Sequence, residues 1–400
     1  MGEVTPAWLL RSGAETGPIE DIGAALQLER YELPEMGPGD CLVEPLLVSW
    51  EGNLDHALRR QPIDVCSTRR DSPLVLGNIG LVRVLRSGDA VTALGPPPTD
   101  PAQPRPAPVT AGQLALVLPF GTRDDAGYAP LIWGYDCPKS GGLLARRTIV
   151  PADLLLPLPK DSRWPLPRWA AYGRYFTAWD NWRVAYGCWR VQMPEADPGD
   201  HLVFAWGGGV ALAWVTWAQR HGFTAALAYG QTERLTWLTE LGLVPIDRRD
   251  YPGLAEPEAG SPDGYGTAHR RARRDFARRM EELSGGRGVA LLLDNVGQPL
   301  YPTTLAALGR QGVVTTCGWK AGMRLSQLRA VECQRRHLHV HTHLWRHQDS
   351  PAIRDAMEAT GWLAPAASLS LTDFEGVPEL ARDYSLGRCA AYTPLVRIND

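Results

Sequence analysis

Hydrophobic residues along the chain follow two periods, and the change between them divides the sequence. Residues 39–150 contain apolar, β-branched runs, such as GDCLVEPLLVSW and LVLGNIGLVRVLRSGDAVTALG, which are bounded by Gly-Asp turns and predict strands. The proline-rich stretch 95–108 interrupts this region and predicts a loop. From about residue 165, LPRWAAYGRYFTAWDNWRVA has helical spacing. The pattern predicts a β-rich region followed by one that begins with a helix.

In the second region, predicted strands and helices alternate. HLVFAWGGGVALAWVTWAQRHGF predicts a strand, a glycine turn and a helix, and TAALAY with TERLTWLTELGL predicts the next strand and helix. There follow a short strand, a charged helix, a buried strand, a helix and a strand: PIDRRD, HRRARRDFARRMEELSGGRG, VALLLDNVG, YPTTLAALGRQG and VVTTCGW. Such alternation predicts an α/β fold with a Rossmann-type, doubly wound parallel sheet beside the β-rich domain.

Composition narrows the class of protein. The 400 residues are 44% hydrophobic and 21% charged, which is typical of a globular protein with two cores. The net charge of -3 and the acidic residues among the arginines of the charged helix argue against a nucleic-acid partner. No apolar run reaches about 18 residues, and the N-terminus lacks the pattern of a secretion signal. We therefore expect a cytoplasmic protein with no membrane partner.

The seven cysteines are scattered and form no C-x-x-C pair. This spacing predicts free thiols in a reducing compartment. It also argues against a structural zinc lobe, whose ligands are closely spaced.

The stretch HLHVHTHLWRH, residues 337–347, holds five of the nine histidines. His337, His339, His341 and His343 alternate with other residues, which predicts a strand with all four rings on one face. Rings two residues apart lie about 6.8 Å apart along a strand, so they could bind a metal. A metal usually draws ligands from separate elements, however. We predict no metal and favour a polar face on a strand near the sheet edge.

The turn in FAWGGGVALA is the predicted dinucleotide site. Gly207, Gly208 and Gly209 follow a strand and precede a helix. Glycines allow a tight bend and close approach to a pyrophosphate, and the helix N-terminus supplies amide donors. A glycine cluster alone is a weak signal, and its position between strand and helix strengthens it.

Six stretches together resemble a known family: ELPEMGPGDCLVEPLLVSWEGN, LIWGYDCPKSGGLLARRTIVPADLLLPLP, RYFTAWDNW, ELSGGRGVALLLDNVG, GRQGVVTTCGW and HVHTHLW. From about residue 30 to the end, the chain resembles the medium-chain dehydrogenase/reductase superfamily, and within it the crotonyl-CoA carboxylase/reductase branch. The resemblance implies a GroES-like domain over 1–165, a Rossmann-type dinucleotide-binding domain over 166–348, and a C-terminal segment, 349–400, that returns to the first domain.

The resemblance also implies an activity. Enzymes of this branch reduce α,β-unsaturated thioesters with NADPH and without zinc, and LGNIG at 76–80 stands where zinc-dependent relatives carry Gly-His-Glu. Hydride goes to the β carbon, and the enolate is protonated or, in the carboxylases, trapped by carbon dioxide. The expected substrate is an acyl thioester of coenzyme A or of a carrier protein, in specialised metabolite or antibiotic biosynthesis. The expected assembly is a homodimer or a dimer of dimers.

Five candidate catalytic residues follow from the resemblance. His343 matches the histidine of the family's carbon dioxide pocket, Tyr135 and Asp136 stand at its Phe-Glu pair, and Glu51, with Asn53 nearby, stands at its Asn. These changes of geometry and charge argue against carboxylation more than against reduction. For each residue a structural role remains open: a polar strand face for His343, a pocket wall for Tyr135, a turn cap for Asp136, and a solvated turn for Glu51.

Five further candidates concern the cofactor. The resemblance implies a nicotinamide contact for Thr177, whose alternative is a helix cap. Asn295 ends a predicted strand and would otherwise be a turn-forming amide, and Thr316 and Cys317 lie at a similar strand end. By the resemblance, Arg234 stands at the basic position for the 2′-phosphate, and no acidic residue stands at the end of the second strand to hold a free ribose hydroxyl, which favours NADP over NAD.

The glycine turn departs from the family. It is about two residues shorter, Ala211 replaces its last glycine, and Trp214 and Trp217 stand on the next helix where small residues normally pack. We expect these changes to crowd the pyrophosphate position. Two other hypotheses therefore stay open: a non-redox isomerase or cyclase that uses His343 and Tyr135 with Asp136, and a catalytically dead partner subunit.

Overall fold

The computed structural model describes residues 3–11, 19–61, 63–89, 91, 109–255, 266–318, 320, 325–327 and 329–400. The predicted loop at 95–108 lies outside them. The chain forms two compact units, Met1–Phe176 with Trp345–Asp400, and Thr177–Leu344. These bounds differ from the predicted domain bounds at 165 and 348, which stay predictions.

The first unit begins with eight strands and three short helices, and the long helix α4 follows. The strands are β1 (Val4–Leu10), β2 (Leu26–Glu32), β3 (Asp40–Ser49), β4 (Leu74–Val75), β5 (Gly80–Ser87), β6 (Leu114–Val117), β7 (Thr148–Pro151) and β8 (Leu155–Pro157). The helices are α1 (Gly52–Arg59), α2 (Val65–Arg69), α3 (Leu166–Trp169) and α4 (Tyr172–Gln192).

The remaining elements alternate between strand and α-helix, except that two strands come last before the C-terminal segment. They are β9 (Leu202–Trp206), α5 (Gly209–Arg220), β10 (Thr224–Tyr229), α6 (Thr232–Glu240), β11 (Val244–Asp247), α7 (Thr267–Leu283), β12 (Val289–Asp294), α8 (Tyr301–Ala307), β13 (Leu308–Thr316) and β14 (His339–Thr342). The C-terminal segment adds α9 (Ser350–Thr360), β15 (Leu369–Asp373), α10 (Val377–Ser385) and β16 (Thr393–Arg397). Among the described residues, no helix is both long and apolar enough to cross a membrane.

The second unit contains one parallel sheet in the order β11-β10-β9-β12-β13-β14. The strand order reverses between β9 and β12, as in a doubly wound dinucleotide-binding sheet. Every residue of β9 and of β12 is buried, because helices cover both faces of such a sheet. The predicted Rossmann-type sheet is confirmed.

The first unit is β-rich, as predicted. It contains a three-stranded sheet, β2-β1-β4, and a seven-stranded sheet in the order β15-β16-β3-β5-β6-β8, with β7 also paired to β3. The C-terminal segment completes the larger sheet, because β16 runs antiparallel to β3 with Leu395 opposite Ser49. The chain therefore returns to this unit after the Rossmann-type sheet ends.

Two local predictions are wrong. The helix predicted from YPTTLAALGRQG ends at Ala307, because Leu308 already pairs with Val289 as the first residue of β13. The histidine strand β14 does lie at the sheet edge, but it is too short for four rings on one face. His337 precedes it in the left-handed conformation (φ 54°), and His343 follows it.

Gly142 marks a close approach of two backbone segments in the first unit. A Cβ at this position would overlap the carbonyl oxygens of Val75 and Leu76. We expect Gly142→Ala to lower the free energy of unfolding by about 1–3 kcal/mol, measured by urea titration. Gly39→Ala is the control, because its Cβ would meet no atom within 4 Å, and we expect a change within about 0.5 kcal/mol. Equal effects of the two substitutions would contradict the backbone contact.

Candidate functional site

The glycine turn after β9 has an open face. Gly207 has a φ of +126°, a conformation that favours glycine, and α5 begins at Gly209. A Cβ on Gly208 would have no described atom within 4 Å, and one on Gly207 would meet only the Cβ atoms of Asn295 at 3.5 Å and Ala211 at 3.6 Å. The backbone of the turn is therefore accessible at the point where the strand order reverses.

The tryptophans of α5 do not fill this turn. Trp214 packs edge-on against Trp182 of α4, with ring centroids 5.1 Å apart, and Trp217 packs against Trp179 at 4.6 Å. Both indoles therefore face α4. The expectation that these side chains crowd the pyrophosphate position is wrong.

A buried turn holds the end of β12 in place. The carboxylate of Asp294 accepts hydrogen bonds from the backbone N–H groups of Val296 (2.9 Å) and Gly297 (2.8 Å) and from the hydroxyl of Thr304 (2.8 Å). Burial raises the pKa of Asp294, although these hydrogen bonds act in the opposite direction. The indole of Trp206 donates to the same Thr304 hydroxyl at 2.9 Å, which directs this ring away from the glycine turn.

Asn295, Thr316 and Cys317 come together at the carboxyl ends of β12 and β13. The side-chain oxygen of Asn295 lies 3.3 Å from both the backbone nitrogen and Sγ of Cys317. The hydroxyl of Thr316 donates to the carbonyl of Gly318 at 2.9 Å. Asn295 thus connects two strand ends rather than forming a local turn. Burial, together with the charge of Asp180, raises the pKa of Cys317 to about 12, so its thiol stays protonated.

Two arginines flank Tyr229, the last residue of β10. The buried guanidinium of Arg234 lies 3.9 Å from the ring centroid, and that of Arg248, just after β11, lies 5.9 Å away. Arg248 also packs on Gly230, where a Cβ would come within 2.5 Å of its Nε. Arg234 is predicted from the sequence and Arg248 is not, because only the pairing of β10 with β11 brings the second arginine to this strand end.

His343 pairs with a buried carboxylate that the sequence analysis missed. Its Nε2 lies 2.8 Å from Oδ2 of Asp180, and the two side chains are 1% and 0% exposed. Its backbone N–H donates to the carbonyl of Thr316 at 2.7 Å, which fixes it beside β13. His343 is therefore not part of an exposed polar face. The available signal for Asp180 was a single acid among aromatic residues in RYFTAWDNW.

Thr177, Asp180 and Asn181 share one face of α4, because residues three and four apart are neighbours on a helix. The amide of Asn181 donates to the hydroxyl of Thr315 at 2.7 Å, which joins this face to β13. Thr177 is 5% exposed and lies inside the helix, five residues from its start at Tyr172. The helix-cap alternative for Thr177 is therefore wrong.

In the first unit, Glu51 belongs to a polar cluster rather than a solvated turn. The side-chain nitrogen of Asn78 donates to its Oε1 at 2.7 Å, and the side-chain oxygen of Asn78 is buried with no described hydrogen-bond partner. Burial raises the pKa of Glu51, while the charge of Arg174 and hydrogen bonds from Asn78 and Asn53 act in the opposite direction. The guanidinium of Arg174 donates to the carbonyl of Trp50 and is itself buried.

Tyr135 and Asp136 have different roles in the first unit. The carboxylate of Asp136 accepts from the backbone N–H of Ile132 at 2.6 Å, which is the turn-capping alternative. The hydroxyl of Tyr135 is buried, and the described residues offer it no hydrogen bond. Burial raises the pKa of Tyr135 far above its usual value, and the charges of Asp136 and Glu51 add to this effect. Tyr135 therefore presents an O–H donor that keeps its proton.

Within the described residues, no group of three or more His, Cys, Asp or Glu side chains is placed to hold a metal ion. The polar groups instead form two sets. The first unit presents the buried hydroxyl of Tyr135 and the polar cluster around Glu51, and the second presents an open glycine turn with polar strand ends beside it. The second set has the features of a dinucleotide-binding edge.

The raised pKa of Glu51 makes a prediction about stability. Because the folded chain binds this proton more tightly than the unfolded chain, the stability that the group contributes is full below the unfolded pKa and is lost as the pH rises through the folded pKa. We expect Glu51→Gln, which keeps an oxygen acceptor for Asn78, to raise the free energy of unfolding at pH 7 and to change it little at about pH 4. Urea titrations at both pH values measure this difference.

The control is Glu44→Gln, since Glu44 is partly exposed and paired with Arg83 at 2.7 Å. Loss of such a surface ion pair should be neutral or slightly destabilising at pH 7. A Glu51→Gln protein that is less stable than the original at pH 7 would show that Arg174 outweighs burial.

Comparison with known proteins places these observations in context. No family model matches the chain. A crotonyl-CoA reductase of Streptomyces collinus is 25% identical over 332 residues, which are 78% of this chain and 68% of that protein. The solved structure of crotonyl-CoA carboxylase/reductase AntE in complex with NADP matches with a TM-score of 0.74 at 20% identity, over 99% of this chain and 96% of that chain.

A second solved structure, 2-octenoyl-CoA carboxylase reductase CinF in complex with NADP and 2-octenoyl-CoA, also has a TM-score of 0.74. It is 19% identical, over 99% of this chain and 88% of that chain. The chain is thus similar in sequence to a crotonyl-CoA reductase and has the fold of crotonyl-CoA carboxylase/reductases, which confirms the resemblance that its motifs indicate.

Proposed function

We propose that this protein is a zinc-independent, NADPH-dependent reductase of an α,β-unsaturated thioester. The observation that carries the proposal is the open glycine turn at the reversal point of the parallel sheet. A pyrophosphate needs such an accessible backbone beside a helix N-terminus. The similarity to a crotonyl-CoA reductase supports the substrate class.

The residues of the second unit fit a nicotinamide dinucleotide. Gly207, Gly208 and Gly209 would hold the pyrophosphate against the first turn of α5, and Asn295 with Cys317 would border the nicotinamide at the strand ends. When bound, the cofactor supplies a hydride to the β carbon of the substrate. The chain supplies a backbone that admits phosphate and a buried edge that excludes water.

Arg234 and Arg248 are proposed to bind the 2′-phosphate. Both guanidinium groups lie beside Tyr229, at the end of the strand next to β9. The two guanidinium groups favour a phosphorylated ribose over a free 2′-hydroxyl, and the nearby carboxylate of Asp247, opposite Tyr229, is already paired with Arg249.

Tyr135 and Glu51 are proposed to donate hydrogen bonds to the thioester carbonyl. Both groups keep their protons more tightly than usual, so each can stabilise the oxygen of an enolate. Asn53 and Asn78 then orient Glu51, and Asp136 holds the turn that carries Tyr135. Because an acid stands at Glu51, we propose that the enolate is protonated and not carboxylated.

The two other hypotheses have less support. The non-redox enzyme was motivated by the short turn, Ala211 and Trp214, and the indole of Trp214 packs against α4 instead of the turn. CoA and carrier-protein thioesters present the same reacting group to the site. A homo-oligomer and a role in specialised biosynthesis stay predictions.

The proposed function predicts a cofactor and a product. The purified protein should bind NADPH in a fluorescence titration and oxidise it when crotonyl-CoA or 2-octenoyl-CoA is added. With ¹³C-bicarbonate present, mass spectrometry should find the saturated acyl thioester without added ¹³C. Absence of NADPH binding would exclude the reductase, and a ¹³C-labelled product would exclude the protonating branch.

The arginine pair predicts the cofactor's specificity. Arg248→Ala should raise the Kd for NADPH by roughly 10- to 100-fold, the effect of losing a charge-assisted hydrogen bond worth about 1.5–3 kcal/mol, and should leave the Kd for NADH unchanged. Arg249→Ala is the control, since Arg249 is exposed and already paired with Asp247 at 2.6 Å. Titration of each variant with both cofactors measures the effect, and equal losses for NADPH and NADH would contradict a phosphate contact.

A further inference from the structure

Three titratable side chains of the second unit form a continuous line. Oδ2 of Asp180 lies 2.8 Å from Nε2 of His343, and Nδ1 of His343 lies 3.3 Å from Nε2 of His341. Nδ1 of His343 is therefore at hydrogen-bond distance from one neighbour, and Nε2 is at ion-pair distance from the other, although its direction does not meet hydrogen-bond geometry. A ring in this position lies close enough to both groups to pass a proton between them.

These three side chains extend from the interior of the unit to its surface. Asp180 is fully buried on α4, whereas His341 is partly exposed on the edge strand β14. A carboxylate without access to water needs a cation or a proton, and the imidazole of His343 supplies either. Such buried ionic groups are seldom more stabilising than apolar residues of similar size, so stability alone does not explain the pair.

The buried end lies at the proposed cofactor edge. The negative charge of Asp180 contributes to the raised pKa of Cys317, which places this carboxylate near the thiol at the end of β13. Its neighbour on α4, Asn181, is bonded to Thr315 of the same strand, and Asn295 of β12 contacts Cys317. The titratable groups that face the line are thus Asp180 from α4, Cys317 from β13 and His341 from β14.

We propose that His341, His343 and Asp180 form a proton relay that connects solvent to the carboxyl edge of the parallel sheet. A proton binds Nδ1 of His341 while its Nε2 proton moves to Nδ1 of His343, whose Nε2 proton moves to Asp180. Each ring gains one proton and loses one, and the carboxylate becomes a neutral acid. In this arrangement His341 and His343 are positioning residues, and Asp180 is the terminal donor.

The relay rests on the proposed function, because each reduction needs one proton besides the hydride. The hydride and its electron pair go to the β carbon, and the proton of Asp180 goes to the α carbon of the enolate. Asp180 then regains its proton from solvent through the two histidines. No other oxidant, reductant or co-reactant is required.

The test compares two histidines of one strand in the full-length protein. His341→Gln interrupts the line, and His339→Gln is the matched control, since His339 is exposed on β14 two residues away. Ring-nitrogen shifts of ¹⁵N-histidine-labelled protein report which nitrogens of His343 carry protons. We expect exchange-averaged nitrogens for His343 in the original and in His339→Gln, and one fixed tautomer in His341→Gln.

Turnover supplies the second measurement. In His341→Ala, kcat should fall on the order of 10- to 100-fold, with KM nearly unchanged, and the loss should be largest at alkaline pH, where solvent protons are scarce. Added imidazole should restore the rate, which a purely structural defect would not allow. His339→Ala should keep the original rate and pH profile.

The outcomes separate the two proposals. Unaltered His343 nitrogens in His341→Gln, or equal losses in His341→Ala and His339→Ala without rescue, would overturn the relay. If the original protein oxidises no NADPH with any enoyl thioester, the reductase proposal fails, while the ring-nitrogen shifts still decide whether the two histidines share a proton.

Discussion

The reversal of strand order between β9 and β12 is the constraint on which the candidate site depends. A doubly wound sheet whose strand order reverses leaves a gap between the ends of the two strands at the reversal point. The backbone of Gly207 and Gly208 lines this gap. The positive φ of Gly207 is a conformation that glycine adopts easily because it has no side chain. An anion can approach the amides of α5 only because this gap stays open.

The packing of α5 keeps it open in spite of its large residues. The indoles of Trp214 and Trp217 pack against Trp182 and Trp179 of α4, the first edge-on and the second tilted. Aromatic packing on one face of the helix thus preserves an accessible backbone at its N-terminus. A shorter glycine turn can still admit a pyrophosphate when the large side chains of the next helix pack against α4 and not against the turn.

Patterns of neighbouring residues predicted much of this arrangement. The remaining contacts depend on strand pairing and helix packing between residues that are distant in sequence. The glycine turn, the alternation of elements and the edge position of the histidine strand follow from runs of neighbouring residues. Arg248 and Asp180 were missed, because each meets its partner only through strand pairing or helix packing. For Glu51 a solvated turn stayed open beside a catalytic role, since its burial depends on Asn78 and Arg174, which are distant in sequence.

The buried acidic groups of the two units have different surroundings, and this difference matters for the proposed reduction. Burial raises the pKa values of Glu51 and Tyr135, which favours the protonated forms that can donate to developing negative charge on an oxygen. Asp180 instead has an imidazole within ion-pair distance, so it can exchange its proton without facing water as a bare charge. A reductase needs both behaviours, since an enolate must first be stabilised and then protonated. A group with a raised pKa is suited to stabilising the enolate by a hydrogen bond. A group that regains its proton through His341 and His343 is suited to protonating it.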